Sequence, residues 1–239
     1  MSKKILITGA SSEIGLAICS VFNKPENILF LQCFSNKEKL ETYTKDFVAQ
    51  IFIYQVDFYN EAETQLFLSE LQDITCVINA AAYTKTDILV NLSEEEMHKM
   101  LVINSLIPAR ICKTVIPFML VQRNGVIINI SSIAAQRGNR GQTVYGGTKG
   151  FLESFTKSLA AEYGMKGIRV NCVAPGAIDA GSIKELLQIA PDEVKKSIAL
   201  NRLGSTNDVA SMVQFLCSDE ASFISGQTIH VDGGFQRGV

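Results

Sequence analysis

The residues in this chain best suited to chemistry are Tyr145 and Lys149, four positions apart, and the pair Ser131-Ser132 upstream of them. On a helix that spacing puts both side chains on one face, about 5–6 Å apart at Cβ. An ammonium beside a phenol favours the phenolate. The Tyr145 pKa is therefore expected to fall from its reference of ~10 and to give a proton donor usable near neutral pH. Gly125-Val-Ile-Ile-Asn-Ile-Ser-Ser132 is an apolar run of strand type that delivers hydroxyls at its carboxyl end. One of them can hold a carbonyl oxygen against the tyrosine. A tyrosine and a lysine at this spacing also occur by chance on surface helices, so the pair needs support from the elements around it.

That support begins at the amino terminus. Lys3-Lys-Ile-Leu-Ile-Thr8 reads as a buried strand, Gly9-Ala-Ser-Ser-Glu-Ile-Gly15 as a glycine turn, and Leu16 to Phe22 as a helix. Strand, glycine turn and helix in this order are a dinucleotide-binding signature, because backbone N–H groups and a helix N-terminus can meet a pyrophosphate there. Further strands are expected at 27–34, 50–56, 74–78, 126–130, 167–174 and 227–231, with helices at 37–47, 60–71, 143–163 and 206–217 between them. A longer helix starts near Ser93, a suitable N-cap before Glu94, Glu95 and Glu96, and runs to about Met119 with a kink expected at Pro108. Alternating strands and helices predict an α/β fold of Rossmann type. It has one domain over residues 1–239 and a doubly wound, mostly parallel seven-stranded sheet covered on both faces. Ligands of such a sheet sit at the carboxyl ends of its strands, where Gly9, Asp57, Asn79, Ser132 and Pro175 fall.

Composition removes several other functions. A net charge of −2 and a pI near 5.8 leave no nucleic-acid footprint. No apolar run reaches the ~20 residues that span a bilayer. His98 and His230 have no partners at metal-ligand spacing, so no metal site is expected. The six cysteines are scattered through apolar runs without a CxxC, as free thiols in a reducing cytoplasm would be.

Together the motifs resemble the short-chain dehydrogenase/reductase family over nearly the whole chain. The residues are Thr8-Gly9-Ala-Ser-Ser-Glu-Ile-Gly15, Asp57, Asn79-Ala-Ala, Asn104, Ile128-Asn-Ile-Ser-Ser132, Tyr145-x-x-x-Lys149 and Arg169-Val-Asn-Cys-Val-Ala-Pro-Gly176. The tail, with Arg202-Leu-Gly204, Asp219 to Gly226 and His230-Val-Asp-Gly-Gly234, is similar to the 3-oxoacyl-[acyl-carrier-protein] reductases. The resemblance implies that Ser132 orients the carbonyl and that Tyr145 is the general acid. It implies that Lys149 tunes the tyrosine and holds the nicotinamide ribose, and that Asn104 steadies a water in a proton relay. It extends substrate contact from Ser132 and Tyr145 to Gln142. The cofactor would meet Gly9, Ser11, Ser12, Ile14 and Gly15 in the turn, and Ser35, Asn36 and Lys37 after the second strand. Asp57 and Phe58 would meet the adenine, Asn79, Ala80 and Ala81 would follow the fourth strand, and Pro175, Gly176 and Ile178 would line the nicotinamide.

Four positions depart from the pattern. Glu13 replaces the middle glycine of the turn, which brings a carboxylate close to the pyrophosphate approach. Ala80 and Ala82 replace the second asparagine and the final glycine of the usual NNAG, and Ala180 replaces a threonine. Cys33-Phe-Ser-Asn-Lys37 has no acid to hold a ribose 2′-OH, which favours NADP(H). Ser12, where related NADP enzymes often carry a base, leaves NAD(H) open.

The expected function is NADPH-dependent reduction of a ketone, foremost a 3-oxoacyl thioester on acyl carrier protein. A dehydrogenase of another small alcohol (steroid, sugar or polyketide) is the alternative, and a dinucleotide-binding sensor is the non-enzymatic one. Residues 181–200 are expected to form a lid, with Ile183, Leu186, Leu187, Ile189, Val194 and Ile198 over an acyl chain. Arg123 and Lys166 fall where the resembled reductases attract the carrier. A cytoplasmic homotetramer through the helices at 93–119 and 143–163 is expected, because these carry more apolar positions than a sheet face needs.

Overall fold

A computed structural model of the protein describes residues 3–181 and 191–235. Seven strands, β1 (Lys4–Thr8), β2 (Ile28–Cys33), β3 (Gln50–Gln55), β4 (Cys76–Asn79), β5 (Gly125–Ile130), β6 (Ile168–Pro175) and β7 (Thr228–Val231), form one sheet in the order β3-β2-β1-β4-β5-β6-β7. Every neighbouring pair is parallel. All residues of β4 and β5 are buried, whereas the edge strands β3 and β7 are half-exposed. This follows from burial on both faces, which selects continuous apolar runs at the centre of a parallel sheet.

Successive residues of a strand point to opposite faces. Ile5 and Ile7 pack on one side with α1 (Glu13–Val21) and on the other Leu6 joins a second cluster. That second cluster includes Phe67 of α3 (Glu61–Ser69). The helix α2 (Lys37–Thr44) lies between β2 and β3. The chain order reverses between β1 and β4, so the crevice of the fold opens at the carboxyl ends of these strands. Register sets the polar residues of the site level with one another: Thr8 pairs with Asn79, and Asn79 with Asn129.

The expected helix from 93 to 119 is built differently. Ser93 caps α4 (Glu94–Leu101) with a reciprocal bond to Glu96. A π-helical turn over Val102–Leu106 follows, then α5 (Ile107–Gln122). Pro108 stands in the first turn of α5, where its missing N–H costs little. The irregularity lies in the π turn before the proline rather than in a kink at it. Taken together, Glu94–Gln122 is long and apolar enough to cross a membrane, contrary to the reading of isolated apolar runs. Its apolar residues Met100, Ile107, Ile111, Cys112, Val115 and Met119 are buried inside the fold.

The helix α6 (Thr143–Tyr163) carries Tyr145 and Lys149. Of the expected lid, residues 182–190 lie outside the described residues, so Ile183, Leu186, Leu187 and Ile189 do too. A short helix α7 (Pro191–Lys196) is described after them. Ile198 does not cover a ligand: it is buried, bridges to Phe235 and closes on Gly233. The helix α8 (Thr206–Leu216) begins with a Ser205–Asp208 capping box. All six cysteines are buried and unpaired, and the sulfurs of Cys76 and Cys217 are 3.4 Å apart.

Candidate active site

Strand β5 ends at Ile130 and hands the chain to Ser131 and Ser132, beside the first two turns of α6. Ser131 is buried and its hydroxyl donates toward both the Lys149 carbonyl and the Glu153 carboxylate, at 3.1 Å each. Gln136 donates to the other Glu153 oxygen. These bonds lock the β5 end to α6. Ser132 accepts from the Ala134 N–H, and its hydroxyl lies near enough to Tyr145 to lower the phenol's pKa. The serine and the phenol therefore already face each other, as the motif spacing requires.

The electrostatics of the tyrosine run against the expectation from spacing. Burial raises the Tyr145 pKa, and the Ser132 hydrogen bond opposes this only in part. Lys149 is itself 3% exposed, and burial lowers its pKa to about 8, with the nearby Cys172 raising it slightly. Its ammonium donates to the Ile130 carbonyl (2.8 Å) and lies 5.6 Å from the Tyr145 ring centroid. Removing two groups from water outweighs the attraction between them.

Asn104, in the π turn, is fully buried. Its side-chain oxygen accepts from the Tyr83 N–H, and its nitrogen donates to the Tyr83 carbonyl and to Thr148 Oγ1. Thr148 in turn donates to the Tyr145 carbonyl. The amide ties Tyr83 to α6. Gln142 accepts from Asn139 and starts α6 through its carbonyl.

A cleft of about 400 Å³ lies beside this set. It brings together Gly9, Ser11, Ser12, Ser35, Asn36, Asp57, Phe58, Ala80 and Ala81, all expected at the cofactor. Gly9 has φ +66° and passes Ala81 so closely that a Cβ would come within 2.8 Å of its Cα, so only glycine fits. Thr8 Oγ1 accepts from the N–H groups of Ala80 and Ala81 and fixes the end of β4 against β1. Ser12 caps α1, accepting from the Gly15 N–H. Ser11 donates to the Ser35 carbonyl, and Asp57 turns the chain by accepting from the Tyr59 N–H.

Other expected residues stand back from the cleft. Gly15 is buried and Ile14 packs against the core. Lys37 pairs with Glu41 and is not among the lining residues. The Asn79 side chain points into the core, donating to Asn129 Oδ1 (2.8 Å), which extends the chain to Thr156. Asn79 therefore braces the sheet, and Ala80, Ala81 and Ala82 after it reach the cleft. Pro175 ends β6 and Gly176 packs on Asp232, while Ile178 is buried in the core beneath. Glu13 does not crowd the pyrophosphate approach as expected: its carboxylate accepts from the Gly181 N–H (2.7 Å).

Sequence reading missed Gln32, Phe34, Tyr83 and Lys99, which all line the cleft. Buried Gln32 accepts from the Gly9 N–H and donates to the Val56 carbonyl, so it sets the height of the glycine turn. A polar residue inside the apolar run of β2 was the available signal.

The family model described as enoyl-(acyl carrier protein) reductase matches residues 9–236. The chain belongs to the short-chain dehydrogenase/reductase family and is an oxidoreductase of that type, a class that binds a nicotinamide dinucleotide. It is 35% identical over 241 residues to a 3-oxoacyl-[acyl-carrier-protein] reductase FabG of Chlamydia trachomatis, covering 98% of this chain and 97% of that one. It is 34% identical over 236 residues to nodulation protein G of Rhizobium meliloti, covering 97% and 96%. Among solved structures it resembles ElxO with NADP bound, with a TM-score of 0.88 at 26% identity over 98% of this chain and 99% of that one.

Proposed function

We propose that this protein is an NADPH-dependent reductase that converts a 3-oxoacyl thioester on acyl carrier protein to the 3-hydroxyacyl form. The observation that carries this reading is the placement of Ser132, at the carboxyl end of β5, beside Tyr145 of α6, with Lys149 buried and 5.6 Å from the Tyr145 ring. The cleft fits the dinucleotide: the glycine cradle at Gly9 leaves backbone exposed, and no carboxylate stands in Cys33–Lys37 to repel a 2′-phosphate. When bound, the nicotinamide supplies a hydride to the carbonyl carbon. Ser132 and Tyr145 hold the carbonyl oxygen by their hydroxyls, and Tyr145 gives it the proton. Lys149 lies close enough to favour the phenolate that remains. Asn104, buried beside Thr148 and Tyr83, is assigned to the water through which the proton is restored.

Arg123 and Lys166 support carrier docking. Both are exposed, and Gly167 packs against the Arg123 carbonyl, which brings the two together. They lie at the amino ends of β5 and β6, a strand length of about 20 Å from Ser132. A carrier docked there serves the site of a neighbouring copy. We therefore couple docking to a cytoplasmic homotetramer, formed where Ala109, Ile116 and Pro117 of α5 meet Phe155, Leu159 and Tyr163 of α6 in an open groove. Light scattering is expected to give four times 26.2 kDa; a monomer mass overturns the assembly. Replacing Arg123 and Lys166 together by Glu is expected to raise KM for a carrier-bound substrate roughly tenfold at low salt. A small free thioester should be turned over as by wild type. Equal effects on both substrates would instead favour a small-ketone reductase.

A further inference from the structure

Lys99 of α4 holds its ammonium over three aromatic rings, 5.0 Å from the centroid of Tyr83, 5.5 Å from Tyr59 and 5.9 Å from Phe34. The rings come from three strand ends: Phe34 follows β2, Tyr59 lies past β3 and Tyr83 past β4. Lys99, Phe34 and Tyr83 line the same cleft as Ser35 and Asp57. Among the described residues Lys99 makes no ion pair. His98 is hydrogen-bonded to the Tyr59 hydroxyl (3.1 Å), which fixes one ring of the three. Phe34 is 58% exposed, a phenyl at a strand end with no place in the core.

We propose that Lys99 and these rings are a clamp for the adenine of the dinucleotide. A cation set over a ring face is attracted by the ring quadrupole, and a purine offers such a face. Phe34 adds a flat surface on which a base can stack. Ile103, four residues along α4 and the π turn, lines the cleft on the same side and supplies an apolar wall. Three rings and this wall lie beside the ammonium. The hydroxyl and amide donors a phosphate needs, from Ser11, Ser12 and Asn36, belong to the glycine turn and the end of β2. Lys99 therefore reads the base and not a 2′-phosphate. The proposal rests on the assignment of this cleft to a dinucleotide.

The test is a set of dissociation constants for NADPH and NADH, followed by nicotinamide fluorescence, and for ADP-ribose by calorimetry. Lys99→Met keeps the length of the stem and removes the charge. It is expected to weaken all three ligands by a common factor of about three- to tenfold. Lys99→Arg should restore binding, since a guanidinium stacks on the same faces. Phe34→Ala, at an exposed position, should weaken all three as well and serves if Lys99→Met does not fold. Unchanged constants in the variants, with wild type binding normally, overturn the clamp alone. A loss confined to NADPH also overturns it, because the cation would then be reading the phosphate. Failure of wild type to bind any of the three overturns the assignment of the cleft, and the clamp with it.

Discussion

Around Tyr145, the residues Ser131, Glu153, Gln136, Asn104 and Thr148 bond to one another or to backbone, and Tyr145 already lies beside Ser132. In the cleft, Phe34 stands exposed, Asn36 makes no side-chain capping bond to α2, and Lys99 makes no ion pair among the described residues but lies over three rings. The first region is assembled from contacts within the fold, the second from groups whose partners arrive with a ligand. Positioned groups that need no rearrangement lower a barrier, while groups waiting for a partner contribute to affinity. Substitutions at the two ends should therefore separate turnover from binding.

The largest effect is expected from Tyr145→Phe, which removes the hydroxyl proposed as proton donor and keeps the ring. Turnover should fall by about 10²–10⁴-fold, while the dissociation constant of the cofactor stays within roughly twofold. Near wild-type turnover would abolish the contrast between the ends. A smaller effect should appear in stability against pH. The native pKa of Lys149, about 8, is below the ~10.4 of an unfolded lysine. Between these values the unfolded chain binds more protons than the native one, so the Lys149 contribution to stability rises with pH from about 8 to 10. Tyr145 acts in the opposite direction, because its raised pKa makes the native state hold its proton longer above pH ~10. The unfolding free energy of wild type minus that of Lys149→Met, from urea titrations, should increase from pH 7.5 to 10. A flat difference would mean that the ammonium is not buried at a cost, and that this end is less closed than its contacts imply.

The strands and the pairing of Tyr145 with Lys149 were legible because each rests on local pattern. Apolar runs of four to eight residues predict buried parallel strands, and a four-residue spacing on α6 is enough to bring Tyr145 and Lys149 onto one face. The sign of the Tyr145 shift was not legible. It depends on how much water the fold removes, and spacing records neighbours but not burial. The π turn escaped for a similar reason: one extra residue in a turn leaves no mark in periodicity, and Pro108 drew attention to the wrong side of it. Lys99 was hidden most completely. In α4 it reads as one charge on a solvated face, and its rings lie 16 to 65 positions away at the ends of different strands. Only the order of the sheet brings Phe34, Tyr59 and Tyr83 under one ammonium.

The six buried thiols make the protein a recorder of its own openings. Burial holds Cys19, Cys112 and Cys172 up at a pKa of about 12, so at pH 7 roughly one in 10⁵ is thiolate even before access is considered. An alkylating reagent at neutral pH therefore labels each cysteine mainly through the fluctuation that exposes it. The cysteines are spread over α1, β2, β4, α5, β6 and the end of α8, so their order of modification ranks those elements by local stability. Cys76 and Cys217, with sulfurs in contact between the fourth strand and the last long helix, share one opening and should be modified together.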